Sequence, residues 1–187
     1  PIPPFWIIKN KEKKTGLTLH LLTDSWDSGD IAEQLLFPIN PKETLKSLIY
    51  KINCQTPHLL EKVKERFITK KWNFTTQQKT RHYQSRPTPT DIDINWNNNA
   101  ENIESLIRAC NPYLPCKAKL KNMTVTPREV TKTILPATNP GTVSIIDNEL
   151  YVSAKDTQLK IAIIEDASLG IISGKNLIQL INLKNIF

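Results

Sequence analysis

No apolar run in this sequence approaches the roughly 20 residues that a membrane-spanning helix needs, and no signal-peptide pattern opens it. No membrane partner is expected. Cysteine is scarce and odd in number, and Cys54, Cys110 and Cys116 show no CxxC spacing. That argues against a disulfide framework and a zinc site, and for plain thiols in a reducing, cytoplasmic compartment. The three histidines, His20, His58 and His82, are scattered without metal-ligand spacing, so no metal is expected. Met123 is the only methionine and the chain opens PIPPFW. Removal of an initiator methionine before Pro1 and a shortened start both account for this. No internal repeat or low-complexity tract is present.

What is there fits a soluble globular chain. Hydrophobic residues make up 39% of it, and the mean hydropathy is -0.36. The 187 residues suffice for one good core or two small ones. The net charge of +7 permits an anionic partner. The lysines are widely spread, however, and residues 112–187 hold 9 Lys/Arg against 6 Asp/Glu. Such a mild excess does not establish nucleic-acid binding.

Pro3 and Pro4 before FWII suit the first turn of a short helix. After the basic loop KNKEKKTG, the alternation in LTLHLL predicts a strand carrying His20 as a packed or hydrogen-bonded residue. An acidic loop leads to a second strand, IAEQLLFPI, ended by Pro38. Two helices follow, one from Pro41 with Leu45, Leu48, Ile49 and Ile52 on its face, one from Pro57 with Leu59, Leu60, Val63 and Phe67. His58 falls in the first turn of the second and is expected to be exposed.

Residues 69–90 are polar, basic and aperiodic, which reads as a long connection. DIDINW reads as a strand-like piece. NAENIESLIRAC reads as a helix capped by Asn99, with Ile103, Leu106, Ile107 and Cys110 on one face. From Pro112 the pattern becomes short strands, CKAKL, MTVTPREVTKTIL, GTVSII, ELYVS and QLKIAIIE, with a tight turn at Asp147-Asn148. These suggest a small OB-like β-barrel, and KNLIQLINL after Gly174 reads as a closing helix.

The acidic loop LLTDSWDSGD sets Asp24, Asp27 and Asp30 together where a strand ends. Taken by itself it is a polar turn, since Asp, Ser and Gly are turn residues. Its surroundings change that reading. PIPPFW, TGLTLHLLTDSWDSGDIAEQLLFPI, DINWNNNAENIESLIRACNPYLP and PGTVSIIDNELYVS occur in this order over nearly the whole chain. Together they resemble the folate-dependent formyltransferase family, most closely its members acting on methionyl-tRNA in protein biosynthesis. The shared pattern includes a D-x-G-D-I loop, a strand ending in F/C-P-I, a helix ending in L-I-R-A, and P-G-T-V in a small C-terminal barrel.

The resemblance implies an α/β fold, with residues 1–85 as the C-terminal part of a nucleotide-fold-like catalytic domain. Residues 86–187 then hold the end of the linker, a helix and the OB-like domain. It implies formyl transfer from 10-formyltetrahydrofolate to a primary amine, with Asp27 matching the family's catalytic aspartate. Ser25, Trp26, Ser28, Gly29 and Asp30 become candidates for folate contact, Gly29 by backbone angles closed to other residues. Methionyl-tRNA is the default acceptor. SRPTPTDIDINW is closer to stretches in nucleotide-sugar formyltransferases, which keeps an amino sugar on a nucleotide as the alternative.

Two departures matter. The family's other catalytic residues lie in an N-x-H strand, and no N-x-H occurs in this sequence. The resemblance is thus to a formyltransferase lacking its amino-terminal half, inactive alone, and a non-catalytic binding or assembly fragment is a third reading. NPYLP with Cys116 also replaces the usual N-P-W-P-G-A, a packing change. Arg108 in the I-R-A stretch has two readings, contact with a substrate and, the one expected, an arginine lying over its own helix face.

Overall fold

The computed structural model describes residues 2–77, 84–120 and 123–184, with side chains through residue 179. His82 and Lys121 lie outside the described residues. Helix α1 (Pro3–Lys9) starts on its two prolines and buries Phe5 and Ile8. Strands β1 (Lys14–His20) and β2 (Ile31–Pro38) form an antiparallel hairpin with Leu17 opposite Leu35 and Thr15 opposite Phe37.

The expected pair of helices is one helix, α2 (Leu45–Thr69), running through Pro57. An interior proline costs about 3 kcal/mol. Leu45, Leu48 and Leu59 stay in phase across it and are buried, each side chain giving about 1.5–3 kcal/mol, so packing wins. The start is also later than Pro41. Residues 40–43 form a turn, and Thr44 caps the helix by accepting from the Ser47 N–H. His58 is exposed, in mid-helix rather than the first turn.

DIDINW is not a strand. A turn of helix, α3 (Pro89–Ile92), precedes an extended run. Thr88 nucleates the turn: its N–H and hydroxyl both donate to the Asp91 carboxylate. Those bonds, with help from Lys9, hold Asp91 below the usual carboxylate range. The Trp96 indole then donates to the Lys119 carbonyl at 3.2 Å.

Helix α4 (Ala100–Cys110) buries Ile103, Leu106, Ile107 and Cys110 as the spacing predicts. Asn99 occupies the cap position, but its side chain makes no cap bond. The Ala100 N–H instead donates to Asp156 Oδ1 at 2.7 Å, from 56 residues away. Nor does Arg108 lie over its own helix: its Nη1 donates across to the Glu43 carbonyl at 2.8 Å.

The remainder is a curled antiparallel sheet of β3 (Ala118–Leu120), β4 (Met123–Pro136), β5 (Val143–Ile146), β6 (Glu149–Ser153), β7 (Thr157–Asp166) and β8 (Gly170–Ser173). The order is β3-β4-β7-β6-β5, with β8 also on β7. β4 carries register shifts around Pro127, which has no N–H for the ladder. Asp147 and Asn148 both have positive φ, as the mirror-image turn between β5 and β6 requires. β8 was not expected, because two isoleucines between Gly170 and Ser173 give too short a pattern. Helix α5 (Gly174–Lys184) closes the sheet with Leu177 and Ile178.

One buried cluster links Phe5 and Ile8 of α1 through α4 to Leu150, Leu159 and Ile161 of the sheet. Gly174 sits where a Cβ would stand 2.3 Å from the Ile161 carbonyl oxygen. Gly174→Ala should therefore destabilise the fold by about 1–3 kcal/mol, by overpacking. Urea unfolding checks this; an unchanged midpoint would show that the α5 start yields freely.

Candidate active-site loop

The loop Leu21–Asp30 joins β1 to β2, and its base is closed by the Leu21 N–H donating to the Asp30 carbonyl at 2.9 Å. Inside it the Ser28 hydroxyl donates to the Ser25 carbonyl at 3.0 Å and lies 2.8 Å from the Thr23 hydroxyl. These bonds shape the loop from its own polar residues, as expected of a turn.

Gly29 is needed for a different reason than its expected backbone angles. Its φ is not positive; a Cβ there would stand 1.8 Å from the Leu21 carbonyl oxygen. Close approach of two chain segments, not conformation, demands glycine. The left-handed residue is Asp27, at φ 50. Asp is among the few non-glycine residues that adopt this geometry readily.

That twist turns Asp27 back over the end of β1. Its Oδ1 lies 3.5 Å from His20 Nε2, with the carboxylate side chain 88% exposed and the imidazole 25%. His20 Nδ1 is 3.0 Å from the Leu21 carbonyl. A carbonyl can only accept, so Nδ1 carries the proton. Nε2 then faces Asp27 with a lone pair in the neutral ring and with an N–H in the imidazolium. A carboxylate and an imidazole at this spacing are side chains of the kind that serve as general bases.

A cavity of about 370 Å³ opens here, lined by His20, Leu22, Thr23, Asp24, Ser25, Trp26 and Asp27. Leu22 and Trp26 are 95% and 98% exposed. The expected residues divide accordingly. Ser25, Trp26 and Asp27 share the cavity; Ser28, though exposed, bonds within the loop, Gly29 is buried, and Asp30 holds the loop base.

Sequence reasoning missed His20 as the partner of Asp27. Its place as the last residue of β1, directly before the loop, was the available signal. It also missed the connection's contribution. Ile31 and Thr75 exchange backbone hydrogen bonds at 2.8 and 3.0 Å, and Gln77 donates to the Gly29 carbonyl. Trp6 Nε1 reaches the Ser85 carbonyl at 2.7 Å. The described parts of this connection are therefore tied to the body.

Cys54 is exposed, and Cys110 and Cys116 are buried free thiols. A hydrogen bond with Cys110, then burial, pushes the Cys116 thiol far up, so it stays protonated. No group of three His, Cys, Asp or Glu side chains could hold a metal among the described residues. Lys70, Lys71, Lys117 and Lys119 are exposed.

Residues 87–181 match the family described as formyl transferase, C-terminal domain. The chain is 29% identical over 185 residues to the bifunctional polymyxin resistance protein ArnA of Wigglesworthia glossinidia brevipalpis, covering 97% of this chain and 28% of that protein. It is 29% identical over 183 residues to a methionyl-tRNA formyltransferase of Thermodesulfovibrio yellowstonii, covering 95% and 57% respectively. The chain thus spans under two thirds of the length of either relative. Among solved structures it resembles an N-formyltransferase from Helicobacter canadensis in complex with folinic acid and dTDP-3-aminofucose. There the TM-score is 0.67 at 23% identity, over 86% of this chain and 60% of that one.

Proposed function

Because the chain belongs to the formyl transferase family, we propose that its loop Leu21–Asp30 serves formyl transfer from 10-formyltetrahydrofolate to a primary amine. The carrying observation is Asp27 twisted to within 3.5 Å of His20 over an open cavity. When an amine attacks a formyl carbon, nitrogen must lose a proton as negative charge grows on oxygen. Asp27 takes that proton, directly, through water or by way of His20 Nε2. The loop's side-chain donors are the Thr23, Ser25 and Ser28 hydroxyls and the Trp26 indole N–H, of which Thr23 and Ser28 bond within the loop; on this reading the principal donors to the developing oxyanion come from the family's N-x-H segment. The exposed indole of Trp26 offers a flat apolar face suited to a pterin ring.

Methionyl-tRNA is the acceptor we favour, in line with the Thermodesulfovibrio relative. An amino sugar on a nucleotide is the second reading, supported by the Helicobacter structure's ligand and by the SRPTPTDIDINW segment. The same reading divides the chain near residue 85, regards the curled sheet as OB-like, and places the protein in the cytoplasm.

Salt dependence separates the acceptors. Binding of tRNA should weaken as salt rises, by about 0.7–0.9 in the log–log slope for each phosphate contacted. Replacing Lys70, Lys71, Lys117 or Lys119 by Gln should flatten that slope. Turnover on an amino-sugar nucleotide, with tRNA binding absent or insensitive to salt, would transfer the assignment to the second reading. Binding of folate or acceptor without turnover, even beside an N-x-H segment, would leave a non-catalytic module.

A further inference from the structure

We propose that a cavity between the α1–β1 turn and α4 is a phosphate-binding subsite, filled by a backbone phosphate of the RNA acceptor. It encloses about 80 Å³, room for several waters or one tetrahedral oxyanion. Its charged walls are Lys11, Glu12 and Lys13 from the turn, and Glu101 and Arg108 from α4; Ile39–Pro41 close the side beyond β2. Three cations thus face two carboxylates.

The groups are not free to wander. Lys11 is fixed at φ 59, and its Nζ lies 2.7 Å from Asn102 Oδ1 and 3.8 Å from Glu101. Arg108 is held by its Nη1 bond to the Glu43 carbonyl. Its Nε is shut off from solvent and has no hydrogen-bond acceptor among the described residues. Burial also lowers the Arg108 pKa, against the pull of Glu104 and Glu101. A half-buried guanidinium with one N–H left unpaired beneath the cavity wall favours an anion against that wall, and phosphate matches the geometry of its fork.

The location says which phosphate. Lys13 and Ile39 lie at the end of the hairpin opposite the Asp27 loop. The six residue steps of β1 put about 20 Å between the two ends. A nucleotide sugar, whose phosphates are adjacent, cannot occupy both places. An RNA carries a phosphate at every nucleotide and can. The assignment of the source rests on the tRNA reading above, whereas the oxyanion site stands on the cavity itself.

The test follows the Arg108 Nε–H and the Ile39 amide by NMR during titration with inorganic phosphate, and measures tRNA affinity against salt. Phosphate should shift both signals saturably. Arg108→Gln and Lys13→Gln should weaken that binding by about tenfold or more. Lys13→Gln should also reduce the tRNA salt slope by about one phosphate's worth. Lys13 is exposed, so that variant serves even if Arg108→Gln misfolds. The absence of a saturable shift, or binding unchanged in Lys13→Gln, overturns the subsite while leaving tRNA binding to be judged separately. Phosphate binding without any change in the tRNA slope overturns the RNA source. Phosphate binding without tRNA binding upholds the oxyanion site and removes the RNA acceptor.

Discussion

Asp27→Asn is expected to lower formyl-transfer turnover by about two to four orders of magnitude, measured in a protein that also carries the N-x-H segment. Asn fits the left-handed backbone at residue 27 as readily as Asp does. The loop's own hydrogen bonds, from Thr23 and Ser28, do not involve the Asp27 side chain. Folding should therefore be nearly unchanged, and the loss can be assigned to the missing proton acceptor. Asp24 lines the same cavity without an ion-pair contact to His20, so Asp24→Asn should do far less. Equal and mild effects from the two variants would return the loop to being a polar turn.

Residues 1–187 alone are expected not to catalyse the transfer. Oxyanion stabilisation is usually the largest catalytic contribution, and one lost donor costs about a hundred- to a thousandfold. The resemblance assigns both donors to a segment that this sequence does not contain. The cavity beside Asp27 also has an exposed floor of Leu22 and Trp26. Water there competes for the carboxylate, and nothing described positions an amine. A single-turnover assay with 10-formyltetrahydrofolate should register no product from residues 1–187 alone, and product once they are joined to a segment carrying N-x-H. Substantial turnover by the chain alone would show that its own residues stabilise the oxyanion.

What was legible in the sequence was what local patterns carry. The buried face of α4 followed from helical spacing, and the turn at Asp147-Asn148 from residue types that accept positive φ. The ordered motifs reached the family. What escaped were contacts between distant residues. Asp156 caps α4 from the turn before β7, and Asn99 looked like the cap because nothing nearby in sequence announces Asp156. Pro57 looked like a helix start because local rules outweigh, on paper, a packing stripe that only the folded chain expresses. His20 and Asp27 meet because one residue twists through the left-handed region, which no spacing rule foretells.

The backbone pairing of Thr75 with Ile31, and the Gln77 bond to Gly29, make the acidic loop a composite of two separated stretches. Anything that drags residues 75–77 outward must first tear three hydrogen bonds from the loop's far stem. A graft of residues 21–30 into another scaffold would arrive without its buttress. The unit of transplantation, and the unit on which drift in sequence has to act together, is loop plus buttress, and homologous exchange confined to either piece leaves the other with unanswered amides.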